Sequence, residues 1–232
     1  MGDFALTTFS SSGKLNQIEY AQKAVENGET CVGIKVKDGV VLAVEKKLNS
    51  VLIDETSFRK IQHLGQHVGV SYAGIGPDFR VLNQKARKTV QKYWLQYREP
   101  VSVESLCRQT AATVQEFTQS GGVRPFGVSL LVAGLDEDGP HLYQLDPSGA
   151  YYGWKATAIG KNMKNAKTFL EKRYNPDNSI EDAINIALST LKEGYQGTMD
   201  STNVEIGYIS RESKKFVVLT TEQIKDYLAN IQ

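Results

Sequence analysis

The two cysteines and three histidines of this 232-residue sequence are the side chains most often found in metal sites and nucleophilic centres. His63, His67 and His141 have none of the usual metal-ligand spacings, and Cys31 and Cys107 are too few for a disulfide framework. Cys31 lies in a β-rich run, where cysteine is usually a small apolar core residue. We therefore predict no metal, no cofactor, and a reducing, intracellular compartment.

Glycine turns before helices are the second feature that could do chemistry, because such turns can bind phosphate. Gly74-Ile75-Gly76 precedes a helical pattern, but a dinucleotide fingerprint needs a further glycine where Phe79 stands. Gly160-Lys161 lacks the P-loop glycine, since position 155 is Lys155. Close packing of a strand on a helix is the better interpretation of these glycines. A ligand-binding domain stays an alternative that a nucleotide-induced shift in melting temperature would support.

Composition excludes several classes of function. Lys and Arg number 27 against 26 Asp and Glu, a net charge of +1, so bulk charge indicates no nucleic-acid partner. No apolar run is long enough to span a membrane, and the N-terminus has no secretory pattern. With 41% hydrophobic residues, the chain is predicted to form one domain over residues 1–232.

The elements that position these residues begin with Thr7 to Gly28, a polar loop followed by a short amphipathic helix. Ser12 is predicted to cap the helix, and Asn27-Gly28 to end it in a left-handed conformation. The apolar residues at helical spacing are Leu15, Ile18 and Val25. A helix this short is marginal alone, so its apolar face must cover this chain or a neighbouring subunit.

Beyond residue 28, antiparallel hairpins alternate with pairs of helices. The predicted strands are 31–36, 40–45, 61–64, 67–72, 128–135, 141–145, short strands near 150–158, 204–209 and 216–219. The predicted helices start at Asp78, Ser102, about 162, Ser179 and Thr220. Several strands are apolar on both faces, which predicts cover on both sides. The fold class is therefore α+β, a four-layer αββα sandwich of two stacked sheets between helical layers.

The stretch from Thr7 to Gly28 closely resembles the N-terminal signature of proteasome α-type subunits: Thr-Thr-Phe-Ser, Ser-Gly-Lys-Leu, then Gln-Ile-Glu-Tyr-Ala. Nearly the whole chain shares this resemblance. The further matching segments are TQSGGVRPFGVS at 118–129, DPSG at 146–149, WKATAIG at 154–160, FLEKRY at 169–174 and IKDYL at 224–228. The resemblance implies an N-terminal nucleophile hydrolase fold with an extra N-terminal helix. Residues 1–28 would form a gate tail and helix, and 29–232 the sandwich.

The resemblance also bears on catalysis. Active members of that fold use a Thr, Ser or Cys that becomes the first residue, because its freed α-amine acts as the base. Counting back from the hairpin glycine Gly39 places Glu29 at the nucleophile position. The resemblance thus implies a subunit without catalytic residues. Glu45 and Lys60 lie near the positions where β-type subunits carry an acid and a lysine, and Glu45 is interpreted as structural.

An enzymatic alternative stays open at this point. Cleavage after Glu29 would expose Thr30 or Cys31 as the nucleophile of a self-processing N-terminal nucleophile hydrolase. The intact mass of the chain distinguishes the two interpretations.

The resemblance implies a structural role in the 20S proteasome core particle, in the cytoplasm and nucleus, supporting ubiquitin-dependent degradation. The partners would be other α-type subunits in a hetero-heptameric outer ring, a β-type ring below, and a regulatory particle or other activators above. In the family's open-gate cluster, Asp3 and Tyr20 match an Asp and a Tyr, whereas Ser11 replaces a proline and Gly2 a tyrosine.

Two further sites follow from the resemblance. Lys60 matches a lysine that receives the C-terminal carboxylate of an activator tail between neighbouring subunits, and Gly28, Gly74 and Ile75 match positions near that pocket. The turn Ser120, Gly121, Gly122 matches the loop that narrows the channel, although it is also a typical helix C-cap. Arg124 is predicted to form a structural ion pair.

Overall fold

Two five-stranded antiparallel sheets stack face to face in the computed structural model, which describes residues 7–48, 50 and 52–231. The strands are β1 Cys31–Val36, β2 Gly39–Glu45, β3 Ile61–Gly65, β4 Val68–Gly74, β5 Val128–Asp136, β6 Gly139–Leu145, β7 Tyr151–Gly153, β8 Ala156–Ile159, β9 Val204–Ser210 and β10 Val217–Val218. The first sheet has the order β10-β9-β2-β1-β8 and the second β3-β4-β5-β6-β7. The predicted hairpins are confirmed.

Helices cover both outer faces. They are α1 Asn16–Glu26, α2 Gly76–Tyr97, α3 Val103–Gln119, α4 Met163–Arg173, α5 Ile180–Gly194 and α6 Thr221–Ala229. The pair α2 and α3 packs on the second sheet, the pair α4 and α5 on the first, and α1 lies against β4 and β5. The four-layer αββα sandwich with an extra N-terminal helix is confirmed.

The central strands are apolar on both faces because both faces are covered. Every residue of β2 is buried, because one face contacts the opposite sheet and the other contacts α5. Fully burying one valine or leucine contributes roughly 1.5–3 kcal/mol, so these central strands provide much of the stability. Tyr72 and Phe79 stack with ring centroids 4.1 Å apart, joining β4 to the start of α2.

Three predicted helix caps are confirmed and one is wrong. Ser102, Ser179 and Thr220 each accept a hydrogen bond from a first-turn backbone N–H. Ser12 does not cap α1, because the N-cap residue is Leu15 and makes no side-chain capping bond. The Ser12 hydroxyl instead lies 2.9 Å from that of Ser10, inside a tight turn ahead of the helix.

The predicted left-handed end of α1 is also wrong. Asn27 has φ −86° and ψ −9°, which is right-handed, and Gly28 is not among the glycines with positive φ. The glycine that follows is needed for a different reason, since a Cβ on Gly28 would lie 2.2 Å from the backbone nitrogen of Gly74. Gly28 thus permits close contact between the end of α1 and the end of β4.

Candidate functional site

A cluster of charged side chains occupies the position where the sequence places Glu29. Glu29 directly precedes β1, Glu45 ends β2, and Lys161 follows β8. The Lys161 Nζ lies 2.5 Å from Glu29 Oε2 and 2.9 Å from Glu45 Oε2. The Glu45 side chain is 1% exposed and that of Glu29 is 23% exposed, so one lysine bridges an internal carboxylate and an outer one.

The two carboxyl groups respond to this environment in opposite directions. Burial raises the pKa of Glu29, but hydrogen bonds with Lys161 and Glu45 and the charges of Lys161 and Lys60 outweigh it and lower that pKa overall. For Glu45 burial is the stronger effect, so its pKa is raised despite Lys161. The pKa of Lys161 is raised because the two carboxylates outweigh its own desolvation. Glu29 is therefore the more firmly ionised of the pair.

The alternative nucleophiles next to Glu29 are held in the interior. Thr30 is 2% exposed and its hydroxyl donates to the Lys161 carbonyl at 2.9 Å. The Cys31 thiol donates to the Tyr72 carbonyl at 2.9 Å, and burial raises its pKa to about 12. A reactive cysteine needs a lowered pKa, so the environment of Cys31 is that of a core residue. In the folded chain neither side chain is an activated nucleophile.

Lys60, predicted from the resemblance to receive a tail carboxylate, is buried, with 3% of its surface exposed. Its Nζ lies 4.0 Å from the ring centroid of Tyr72, a cation–π contact. The backbone N–H groups of Lys60 and Ile61 both donate to Glu205 Oε2 at 2.9 Å. Glu205 is 5% exposed and also pairs with Lys46 at 3.6 Å. The start of β3 is thereby tied to β9.

The other predicted pocket residues lie together around Gly74. Gly74 has φ +112°, and a Cβ there would lie 2.2 Å from the Gly127 carbonyl oxygen, so only glycine fits. The N–H of Ile75 donates to the same carbonyl at 2.9 Å, and Ile75 is 38% exposed. Close packing therefore accounts for this turn, and its Ile75 N–H is already used rather than free for phosphate. The structure brings Gly28, Gly74 and Ile75 to one place.

Of the predicted gate residues, the structure describes Ser11 and Tyr20. Asp3 and Gly2 lie outside the described residues. Ser11 is exposed in the turn before α1, and Tyr20 on α1 is 56% exposed with Lys23 Nζ 5.9 Å from its ring centroid. A half-exposed tyrosine on an outer helix is available to a partner.

The predicted constriction loop is an exposed helix end. The N–H of Ser120 donates to the Glu116 carbonyl at 2.9 Å, which closes α3. Gly122 has φ +77° and open space where a Cβ would lie. Ser120, Gly121 and Gly122 are all exposed, and Ser120 ends α3 as the C-cap interpretation predicts.

Lys161 and Glu205 are the residues of this region that sequence reasoning missed. In sequence, Gly160-Lys161 suggests only a phosphate loop, and its partners Glu29 and Glu45 are far away along the chain. The one available signal for Glu205 is a single acidic residue inside the apolar run of β9. Such long-range partners cannot be read from local patterns.

Arg124 forms the predicted structural ion pair. Its guanidinium donates two hydrogen bonds to Asp78, Nη1 to Oδ2 at 2.6 Å and Nη2 to Oδ1 at 2.8 Å, and the Gly127 N–H donates to Oδ2 at 2.9 Å. Burial raises the pKa of Asp78, but these bonds and the Arg124 charge outweigh it and lower the pKa overall. The pair fixes the start of α2 beside the segment before β5.

Replacing Arg124 with methionine is expected to lower the free energy of unfolding of the purified chain by about 1–2 kcal/mol at pH 7. The loss is smaller than for a fully buried pair because the Arg124 side chain is 59% exposed. A carboxyl whose pKa is lowered on folding adds its full stability above its ordinary pKa of about 4, so the difference should begin to shrink there and be lost as pH falls through the lower folded-state pKa. Urea unfolding at several pH values measures this, with exposed Arg108→Met as control. A difference independent of pH would contradict the assignment.

Among the described residues, no group of three or more His, Cys, Asp or Glu side chains could hold a metal ion. No helix in the described part of the chain is long and apolar enough to cross a membrane. A cavity of about 560 Å³ lies between the α2–α3 connection and the β5–β6 turn, lined among others by His67, Tyr93 and Arg211. It lies apart from the cluster around Glu29.

Comparison with known families matches two models that together span most of the chain. The model described as "Proteasome subunit" matches residues 25–209, and the model for the N-terminal signature of A-type proteasome subunits matches residues 3–24. The boundary between them falls near the end of α1.

Full-length relatives agree with these matches. The chain is 59% identical over 236 residues to the proteasome subunit named "alpha type-2-A" in Arabidopsis thaliana, and 58% to the one named "alpha type-2" in Oryza sativa subsp. indica, covering 100% of both chains in each case. It is 59% identical over 228 residues to the "alpha type-2" proteasome subunit of Dictyostelium discoideum, covering 98% of this chain and 97% of that one.

Proposed function

Because this chain belongs to the proteasome α-type subunit family, whose members assemble with other subunits into the rings of the core particle, we propose that it is a non-catalytic subunit of the outer heptameric ring. Its partners would be the other α-type subunits beside it, the β-type ring below and an activator above. It would act as a single unit of gate tail, helix and sandwich, in cytoplasm and nucleus, and support ubiquitin-dependent degradation.

The observation that carries the proposal is the ion-paired carboxylate at position 29. A nucleophile of this fold needs a hydroxyl or thiol beside its own free amine. Glu29 offers a carboxylate, and its pairing with Lys161 at 2.5 Å uses the cation that lies nearest to it. The neighbouring Thr30 and Cys31 are buried and hydrogen-bonded to backbone carbonyls. This position therefore carries ion-paired charges and no attacking group.

The proposed gate and pocket rest on the residues that match the family. Tyr20 and Ser11 are exposed around α1, and the tail carrying Asp3 would close the axial pore. Gly28, Gly74 and Ile75 would border the pocket, and Lys60 would supply the cation that captures a terminal carboxylate between subunits. Ser120, Gly121 and Gly122 would border the channel below the gate.

Native mass spectrometry of the endogenous particle tests this function. We expect one copy of this chain in each outer ring, with different α-type subunits on either side. The purified chain alone should hydrolyse no peptide substrate under conditions in which the intact particle does. A homomeric assembly of this chain with peptidase activity would overturn the proposal.

A further inference from the structure

The first half of α1 is exposed and its second half is buried. Among residues 16–20 only Ile18 is partly covered, whereas Ala21 and Val25 are 9% and 1% exposed. The buried half packs against β4 and β5. Helix α1 is therefore held at its C-terminal end and carries the segment ahead of it at the other end, roughly 16 Å away.

Lys161 contacts three consecutive residues at the held end of α1. Its backbone N–H donates to the Gly28 carbonyl at 2.8 Å, and its carbonyl accepts from the Thr30 hydroxyl at 2.9 Å. Its Nζ donates to Glu29 Oε2 at 2.5 Å and lies 2.9 Å from Glu45 Oε2. Because Glu45 ends β2 and its side chain is 1% exposed, the ammonium ties the α1–β1 junction to the interior of the sandwich.

The segment that carries Lys161 is itself fixed. It follows β8, which pairs with β1. A Cβ on Gly160, whose φ is +90°, would lie 2.5 Å from the Glu29 carbonyl oxygen, so a larger residue would displace the junction. The Asn162 side chain donates to the Gly194 carbonyl, at the end of α5, at 2.8 Å. The segment is therefore joined to both β1 and α5.

We infer that Lys161 positions the proposed gate: by joining residues 28–30 to the end of β2, it fixes the base of α1 and with it the direction in which α1 carries the tail. This inference rests on the proposed gate function of the tail. A rotation of about 5° at the base would move the far end of a helix of this length by roughly 1.5 Å. Lys161 is thus a positioning residue, which acts through α1 and not on a substrate.

The side-chain contacts of Lys161 can be removed while its backbone contacts remain. Methionine keeps the N–H and the carbonyl that bind Gly28 and Thr30, but it has no ammonium group. The Glu29 side chain, which is 23% exposed, would then have no cation joining it to Glu45. We therefore expect the junction to lose its link to β2 while the sandwich keeps its fold.

The experiment uses the assembled particle with Lys161→Met in this subunit. Hydrolysis of a fluorogenic peptide is measured without activator and with saturating activator. The first rate is limited by the gate, so we expect it to rise about threefold, whereas the second should not change. Hydrogen exchange over residues 16–26 should become faster, with exchange in α2 and α3 unaltered. A loss of general stability would not produce this split between the two rates.

Two further variants accompany Lys161→Met. Lys164→Met removes an exposed charge from the first turn of α4 and should leave both rates unchanged. Glu29→Gln removes only the outer carboxylate of the ion pair and should also raise the rate without activator. This second variant provides the test if the Lys161→Met subunit does not assemble.

A particle that lacks residues 2–10 of this subunit distinguishes this inference from the proposed function. If the truncation raises the rate without activator and neither Lys161→Met nor Glu29→Gln does so, the gate function stands and the positioning role of Lys161 is refuted. A rise in both rates, with and without activator, would also contradict that role. If the truncation itself leaves the rate unchanged, the gate assignment fails, and the inference with it.

Discussion

Replacing Lys60 with methionine is expected to lower the affinity of an activator tail for the proposed pocket of this subunit about 100-fold. Methionine is similar in length to lysine, but it removes the charge and with it the cation–π contact with Tyr72. A hydrogen bond between charged partners contributes roughly 1.5–3 kcal/mol, which corresponds to about ten- to more than a hundredfold in affinity. The probe is a synthetic peptide with an activator's C-terminal sequence and a photoreactive group. Its crosslinking to this subunit in the assembled particle is measured over a range of peptide concentrations.

The control for Lys60→Met is Lys88→Met, which removes an exposed charge on α2 and should leave binding unchanged. Peptide hydrolysis by the particle without activator should also be unaltered, because we propose that Lys60 belongs to a non-catalytic subunit. Undiminished crosslinking in the Lys60→Met particle would refute the assignment of Lys60.

Replacing Glu205 with alanine is expected to lower the free energy of unfolding of the purified chain by about 3–5 kcal/mol. Glu205 accepts hydrogen bonds from two backbone N–H groups, at Lys60 and Ile61, and pairs with Lys46. The Glu205 and Lys46 side chains are 6% and 8% exposed, so alanine would leave two buried backbone donors without their acceptor and would remove the carboxylate that pairs with Lys46, whose Nζ also donates to the Glu55 carbonyl. Losing one partner of a buried pair costs about this amount. Urea unfolding followed by circular dichroism measures the change.

Two variants give the comparison for Glu205→Ala. Glu205→Gln keeps an acceptor oxygen for the N–H groups and should cost less, about 1–2 kcal/mol. Glu212→Ala, an exposed position in the turn after β9, should change the free energy of unfolding by less than about 0.5 kcal/mol. A loss below about 1 kcal/mol for Glu205→Ala would show that the hydrogen bonds to β3 are not important for stability.

Local patterns predicted the sandwich well because each signal acts over a few residues. The Asp38-Gly39 turn indicated the β1–β2 hairpin, and the apolar residues on both faces of β2 indicated a layer on each side. The hydroxyl caps at Ser102, Ser179 and Thr220 were predicted for the same reason. Where a tight turn competed for the hydroxyl, as at Ser12, the local rule was wrong.

The candidate site was predicted only in part, because its contacts join distant segments. Resemblance placed Glu29 and Lys60, but no spacing rule indicates that Lys161 would bridge Glu29 to Glu45 or that Glu205 would anchor β3. The need for glycine at position 28 likewise comes from contact with Gly74 across the fold. The proposed gate and pocket would lie at surfaces toward other subunits, where a single chain supplies only one side.

The most direct test of the account is the intact mass of this subunit, taken from purified particles and measured together with labelling by a covalent probe for N-terminal nucleophiles. We predict a chain that retains the segment ahead of Glu29 and takes up no probe, while catalytic subunits of the same particle are labelled. A chain that begins at Thr30 or Cys31 and reacts with the probe would contradict the central claim that this subunit has no catalytic centre.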